Sequence, residues 1–233
     1  MNIITFLFNK TPLYFFVQSF WRDEAFTYLL AKQHIINVLI TTAKDFNPPF
    51  YYLLIHFWMK ICGSSEITLR SVSLIFYMLT IYVCYLFLVN IFKFSIKKTY
   101  IYLLLFFVNP ILIYYACEAR MYSMLAFFAT SSFYLFFTKK IKAHIIVSVL
   151  GIFTHYFMIF PLITQFIYLL FTNKPKQYIK VFKPFIIIFV IFFPWLIFTY
   201  FQKGLQISSF WIPYSTFYTL SSIAGILYTG YEL

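Results

Sequence analysis

Apolar positions in this chain gather into runs close to the length a helix needs to cross a bilayer core, about 20 residues at a rise of about 1.5 Å each. Four such runs hold no charge and predict spans: Ser71 to Phe92, Thr99 to Cys117, Met121 to Thr138 and Pro184 to Phe201. Residues Ala143 to Phe171 are too long for one upright helix and too short for two full ones. With His155 and Pro161 in their middle, they predict two short helices that meet near that point. Ile3 to Phe20 carries Lys10, Pro12 and Gln18 and predicts a weak span at best. None of these runs alternates as a barrel strand would.

A different pattern occupies Ala25 to Lys44. Phe26, Leu29, Leu30, Ile35, Ile36, Leu39 and Ile40 are apolar, while Lys32, Gln33, His34 and Lys44 are polar. Such a stretch predicts a helix lying along the membrane interface. Asp45-Phe46-Asn47-Pro48-Pro49 halts it, because proline restricts both itself and its predecessor, and Phe50 to Ile61 begins a second short helix. The pattern as a whole predicts an all-α, polytopic helical membrane protein. It forms one domain over residues 1–233, with two interfacial helices in a first outer loop, residues 21–67. Loops of that length are usually functional.

Composition excludes the soluble classes. Of 233 residues, 63% are apolar and 10% charged, against about 45–50% and about 25% in globular proteins, and the mean hydropathy is +0.84. The net charge is +12, yet the basic residues are strung between apolar runs without the clustering that a nucleic-acid surface requires. Anionic membrane lipid is their expected neighbour. With the amino terminus inside, eleven of the 18 Lys and Arg fall on inner loops, mainly at 93–98, 139–142 and 174–183, in keeping with the positive-inside rule. All six acids, Asp23, Glu24, Asp45, Glu66, Glu118 and Glu232, then fall on the outer side. Cys62, Cys84 and Cys117 are odd in number and widely spaced, so neither a disulfide framework nor a zinc site is indicated.

Four short constellations can carry chemistry. Trp21-Arg22-Asp23-Glu24-Ala25 sets two adjacent carboxylates at the membrane surface beside an aromatic anchor. An Asp kept ionised by Arg22 can accept a proton from an attacking hydroxyl; the alternative is a helix start whose acids complement the dipole. Glu66 to Arg70 and Glu118-Ala119-Arg120-Met121-Tyr122 each bring an arginine to the outer interface. A guanidinium there can hold phosphate oxygens, or else snorkel or join a local Glu–Arg pair. Thr154-His155-Tyr156 places a lone histidine at the helix break, on the same side as the acids. Neither a G-x-x-x-x-G-K-[ST] loop nor a G-x-G-x-x-G fingerprint occurs, so a phosphorylated substrate is expected to arrive through the membrane.

In this order, the motifs resemble those of the GT-C glycosyltransferases, particularly the bacterial glycosyltransferase family 39 and protein mannosyltransferase-like group. The series runs Trp21-x-Asp23-Glu24-Ala25, Asp45-x-Asn47-Pro48-Pro49-Phe50-Tyr51-Tyr52, Ser65-Glu66 with Leu69-Arg70, Glu118-Ala119-Arg120-Met121-Tyr122 and Thr154-His155-Tyr156. It covers most of the chain. The resemblance implies a GT-C type membrane domain in the inner cell membrane, with a sugar transferred from a polyprenyl-phosphate donor at the outer face. It implies Asp23 as base, with Glu24 its neighbour. Arg120, Arg70 and Tyr122 would hold the lipid phosphate, and Asp45, Asn47, Glu118 and His155 would shape the pocket. Some relatives place a His and an acid around a divalent metal; here Asn47 stands where a His is frequent before Pro-Pro, so metal use stays open, as do sugar and acceptor.

Rival readings are a transporter or lipid flippase, in which intramembrane charges mark a pathway, and an inactive fragment of the enzyme. By that resemblance, the full-length enzymes are expected to run to about twice this length. The sequence stops at Gly230-Tyr231-Glu232-Leu233, just after a hydrophobic segment begins at Phe217 to Tyr228. A truncated chain is the expectation that follows.

Overall fold

A computed structural model describes residues 14–45, 47–203 and 222, and among them every regular element is helical. In chain order the helices are α1 (Tyr14–Val17), α2 (Arg22–Ala31), α3 (Ile35–Lys44), α4 (Phe50–Cys62), α5 (Glu66–Asn90), α6 (Ile96–Phe107), α7 (Pro110–Ala116), α8 (Tyr122–Phe137), α9 (Ile141–Thr154), α10 (Ile159–Thr172) and α11 (Tyr178–Lys203). Most of the weak span from Ile3, the segment Phe217 to Tyr228 and the chain end lie outside the described residues. Two helices, Glu66–Asn90 and Val181–Gln202, are long and apolar enough to cross a membrane. The pair α6 and α7 makes a third if its bent halves count as one span.

Capping sets several boundaries that apolarity alone misplaces. Helix α5 starts at Glu66 rather than Ser71, because the Ser65 hydroxyl accepts the Thr68 amide at 3.3 Å, satisfying a donor that a helix start leaves open. The run from Thr99 to Cys117 is not one straight span. Asn109 accepts the amides of Ile111 and Leu112 at 3.1 and 3.2 Å, Pro110 opens the new helix, and the axis turns by 67°. The interfacial stretch divides as well. His34 Nδ1 accepts the Ile36 amide at 3.4 Å, so the chain restarts as α3, and residues 21–67 hold three short helices where two are predicted. Helix α11 begins at Tyr178 and carries Pro184 and Pro194 inside it. The break within Ala143 to Phe171 falls where the sequence puts it, with a 3₁₀ turn at Tyr156–Met158 between α9 and α10.

The bundle is built by α5 against α8, α8 against α9, and α9 against α11. Its core joins Leu69 and Val72 of α5 to Met124 and Phe128 of α8, Ile152 of α9 and Met158. Gly151 permits the closest approach: a Cβ there would stand 2.9 Å from Met158 Sδ and 3.0 Å from Phe128 Cβ. A buried polar string also ties three helices. Gln165 Nε2 donates to Ser132 Oγ at 2.8 Å, which leaves Gln165 Oε1 to accept from His144 Nε2 at 2.7 Å. Such bonds between apolar helices contribute roughly 0.6 kcal/mol each on average. Outward-facing Ile75, Leu79, Tyr100, Leu104, Phe189 and Val190 are exposed, as membrane association of this body requires.

Candidate functional site

Helix α2 begins with two adjacent carboxylates, and neighbouring residues on a helix diverge by about 100°. Glu24 turns into the bundle and is 1% exposed, whereas the Asp23 side chain stays 30% exposed. Glu24 meets Arg70, the largest fully buried side chain among the described residues. Arg70 Nε donates to Oε1 at 2.8 Å and Nη2 to Oε2 at 2.6 Å, in a two-pronged pair. The remaining guanidinium hydrogens go to backbone carbonyls: Nη1 to Phe16 at 3.0 Å and Gln18 at 2.6 Å, and Nη2 to Ser19 at 3.4 Å. All five N–H groups of Arg70 are thus engaged. Glu24 Oε1 also accepts the Ala119 amide at 2.8 Å, and Oε2 accepts the Trp21 amide at 3.4 Å.

This geometry corrects two expectations. Arg70 has no donor left for a phosphate, and Glu24 has no free oxygen with which to take a proton. Glu66 is not the partner of Arg70 either; it sits in the first turn of α5, while the partner comes from 46 residues away. Glu24 and Arg70 fasten α2, α5 and the turn before α8 to one another.

That turn, Cys117 to Met121, carries the second arginine. Ser73 Oγ donates to the carbonyl of Glu118 at 2.5 Å and lies 3.2 Å from that of Arg120, so α5 holds the turn's backbone from below. Arg120 Nη1 donates to the Asp23 carbonyl at 3.3 Å, and Nη2 stands 3.7 Å from Asp23 Oδ2. The guanidinium carbon lies 5.9 Å from the centre of the Tyr122 ring, a cation–π distance. Asp23 Oδ1 accepts from Arg22 Nε at 3.4 Å.

Around Arg120 the hydrogen bonding is incomplete. Among the described residues seven buried side-chain atoms lack a partner, and four of them belong to this corner: Arg120 Nε, Glu118 Oε2, Tyr51 Oη and Tyr52 Oη. The charge of Arg120 acts on both phenols, and those of Asp23 and Asp45 act on Tyr52. Burial pushes both phenols well above the usual tyrosine range, so they stay neutral and can donate. Burial likewise raises the Glu118 carboxyl to about 7, with Arg120 opposing the rise and Glu24 adding to it. Unpaired buried polar groups each cost roughly 1–3 kcal/mol, and four in one corner of a native fold call for a ligand or water.

His155 closes the far side. Its ring lies 6.2 Å from that of Tyr122, and its Nδ1 accepts the Phe157 amide at 3.0 Å, capping the 3₁₀ turn and leaving the proton on Nε2. Burial, and then Arg120, lower its pKa to about 4, so the ring is neutral at physiological pH. Asp45 and Asn47 are half-buried at the end of α3, and the charge of Asp45 reaches Tyr52 and Tyr156. No group of three His, Cys, Asp or Glu able to hold a metal occurs among the described residues. The metal that the resemblance leaves open therefore finds no ligand set among the described residues.

Six of the expected residues thus border one corner: Asp23, Arg120, Tyr122, Glu118, His155 and, through its charge on Tyr52, Asp45; Asn47 follows Asp45 by two residues. Tyr51, Tyr52 and Ser73 were given no role from sequence. The signal for the phenols was present, since a tyrosine on the buried face of a helix needs a partner for its hydroxyl. No family model, curated protein or solved structure matches the chain.

Proposed function

We propose that the chain is a polytopic, GT-C type glycosyltransferase of the inner cell membrane. It would move a sugar from a polyprenyl-phosphate donor to an acceptor hydroxyl at the outer face. The observation that carries this reading is the approach of Asp23 Oδ2 to Arg120 Nη2, 3.7 Å apart, in the corner where four buried polar atoms lack partners. A half-exposed carboxylate beside a guanidinium supplies the two charges that the reaction needs. The carboxylate takes the acceptor's proton as the acceptor oxygen bonds to the anomeric carbon. The bond from that carbon to the phosphate oxygen breaks, and the electron pair leaves on phosphate, whose growing charge Arg120 stabilises. Tyr122 steadies the guanidinium from its ring face, while Asp45, Asn47 and His155 border the sugar.

An apolar groove gives the donor's chain a course. It lies between α9, α10 and α11, has a volume of about 440 Å³ and is walled by Ile152, Tyr156, Leu162, Phe185 and Phe192 among others. Tyr156 in its wall directly follows His155 and feels the charge of Asp45, which supports a course for the chain from the polar corner into the groove. A phosphate at Arg120 and a hydrocarbon chain in this groove belong to one molecule of amphiphilic shape.

The test is turnover of a polyprenyl-phosphate sugar by the purified protein in detergent. Asp23→Asn keeps the shape of the side chain and removes the base, so the rate is expected to fall about 10²–10⁴-fold with the melting temperature nearly unchanged. A folded Asp23→Asn protein that turns over at the parent rate overturns the reading.

A further inference from the structure

The acids of the site are unequal, and Glu118 is the one that no step above uses. It is 4% exposed, its Oε2 has no hydrogen-bond partner among the described residues, and it makes no ion pair with Arg120, two residues on, whose Nε also lacks one. A buried carboxylate beside an unsatisfied guanidinium should close on it. The turn prevents this. Ser73 holds the Glu118 carbonyl, Glu24 holds the Ala119 amide and the Arg120 amide donates to the Glu118 carbonyl at 2.8 Å, so the two side chains are set apart by a fixed backbone.

The groups that face Glu118 are on the page. From α2 come Asp23 and Glu24, the latter joined to Arg70 of α5. Helix α4 contributes Tyr51, helix α7 contributes Tyr114 and Tyr115, Arg120 lies alongside in the same turn, and the Trp21 side chain just before α2 is within hydrogen-bond reach of the carboxyl; Arg120 and Trp21 favour its charged form, against burial, Glu24 and Asp23. Arg70 is taken by Glu24 and Arg120 stands beside Asp23, so neither guanidinium that faces this corner is left over for a third carboxylate. A neutral carboxylic acid fits better, since its O–H is a donor directed at the same corner as Arg120 Nε and the two phenols.

We propose that Glu118 is a further anion-binding residue of this site and works as a neutral acid. With its proton on, it adds a hydrogen-bond donor beside Arg120; with its proton off, it adds a negative charge and closes the corner to anions. The inference rests on the reading that a phosphate docks at Arg120, and it adds that this docking is coupled to one proton. Its burial and the neighbouring Glu24 place the exchange near neutral pH, at about 7. His155, lowered to about 4, holds its charge state across the same range. Affinity for a singly charged phosphodiester therefore falls as pH rises through 7.

The full chain in phosphatidylcholine nanodiscs, with farnesyl methyl phosphate as probe, tests this, because that diester keeps one charge throughout. From about pH 6 to about pH 8.5 the parent protein is expected to lose about 30-fold in affinity, by linkage to one group. Glu118→Gln is expected to bind with little change across that range. Carbon-13 NMR of the labelled glutamate carboxyls in the parent protein gives a second readout that needs no variant, with one carboxyl expected to titrate near 7. Water-soluble dimethyl phosphate, run in parallel, reports whether the anion enters from membrane or water, and proton-linked binding of either diester supports the proposal. Binding by the parent protein that stays flat with pH, or no carboxyl titrating near neutrality, overturns the role of Glu118 while leaving the phosphate site standing. Absence of binding by both proteins at every pH overturns the phosphate site and this inference together.

Discussion

Asp23 and Glu24 are adjacent in sequence, each faces an arginine from a distant part of the chain, and the two pairs are built oppositely. Around Glu24 and Arg70 every donor and acceptor is used: two guanidinium–carboxylate bonds, three carbonyls and two backbone amides within hydrogen-bond reach. Around Asp23 and Arg120 there are two long ion pairs, from Arg22 and Arg120 to the Asp23 carboxylate, one carbonyl bond, and a rim of buried atoms without a hydrogen-bond partner among the described residues. A completed network fixes geometry and binds nothing further. An incomplete one, held in place by its completed neighbour, retains its hydrogen-bonding capacity for something else. One helix start thus serves both purposes, because the helical turn sends one acid inward and leaves the other at the edge.

The sharpest way to break this contrast is to remove one member of the completed pair. Arg70→Met leaves Glu24 buried without its counter-charge, at an expected cost of about 3–5 kcal/mol. Adding Glu24→Gln should recover much of that loss in a denaturation series. Asp23→Asn, by contrast, should stay within about 1 kcal/mol of the parent, as a partly exposed pair does. Equal losses in the two cases would erase the distinction.

A second measurement follows stability against pH. Glu118 is raised from 4.5 to about 7, so between those values the folded chain keeps a proton that the unfolded chain has released. Stability of the parent protein therefore declines as pH rises through that window and levels off above about 7. Glu118→Gln removes the effect, and at pH near 8 it should be the more stable protein by up to about 3 kcal/mol, with the gap closing toward pH near 4. The smallest effect is expected at Tyr52. Its hydroxyl is buried without a partner, so Tyr52→Phe should be neutral or stabilising by about 1 kcal/mol in thermal melts, while affinity for a phosphodiester falls. Loss of stability there would mean that the hydroxyl is bonded after all.

Much of this arrangement is legible in residue order, and the reasons for the misses are physical. Asp23 and Arg120 could be paired from sequence because both sit where an apolar run stops, and a charge at such a boundary has few places to go. The break at His155 is legible because length forbids a single helix there. Arg70 misleads because Glu66 stands four residues before it, at the spacing of a local helix pair, whereas the long side chain reaches inward to a carboxylate 46 residues away. Asn109-Pro110 carries an N-cap and a helix-opening proline in plain view, yet the apolar run on both sides hides the 67° turn. Lys32 to His34 hides a helix end in the same way, since polar residues at those places also fit one continuous amphipathic face. Which buried atoms lack partners cannot be read from order at all, because it depends on several segments meeting in space.

The Ala119 amide, held by Glu24, has a kinetic meaning. The peptide that presents Arg120 is clamped from both sides, by the buried carboxylate at one residue and by the Ser73 hydroxyl at the one before. Swinging this segment outward would require its bonds to the buried Glu24 carboxylate and to the Ser73 hydroxyl to break together, an excursion on the slow timescale of local unfolding. Whatever visits Arg120 is then admitted by rotation of side chains, in nanoseconds, past a threshold that does not itself move.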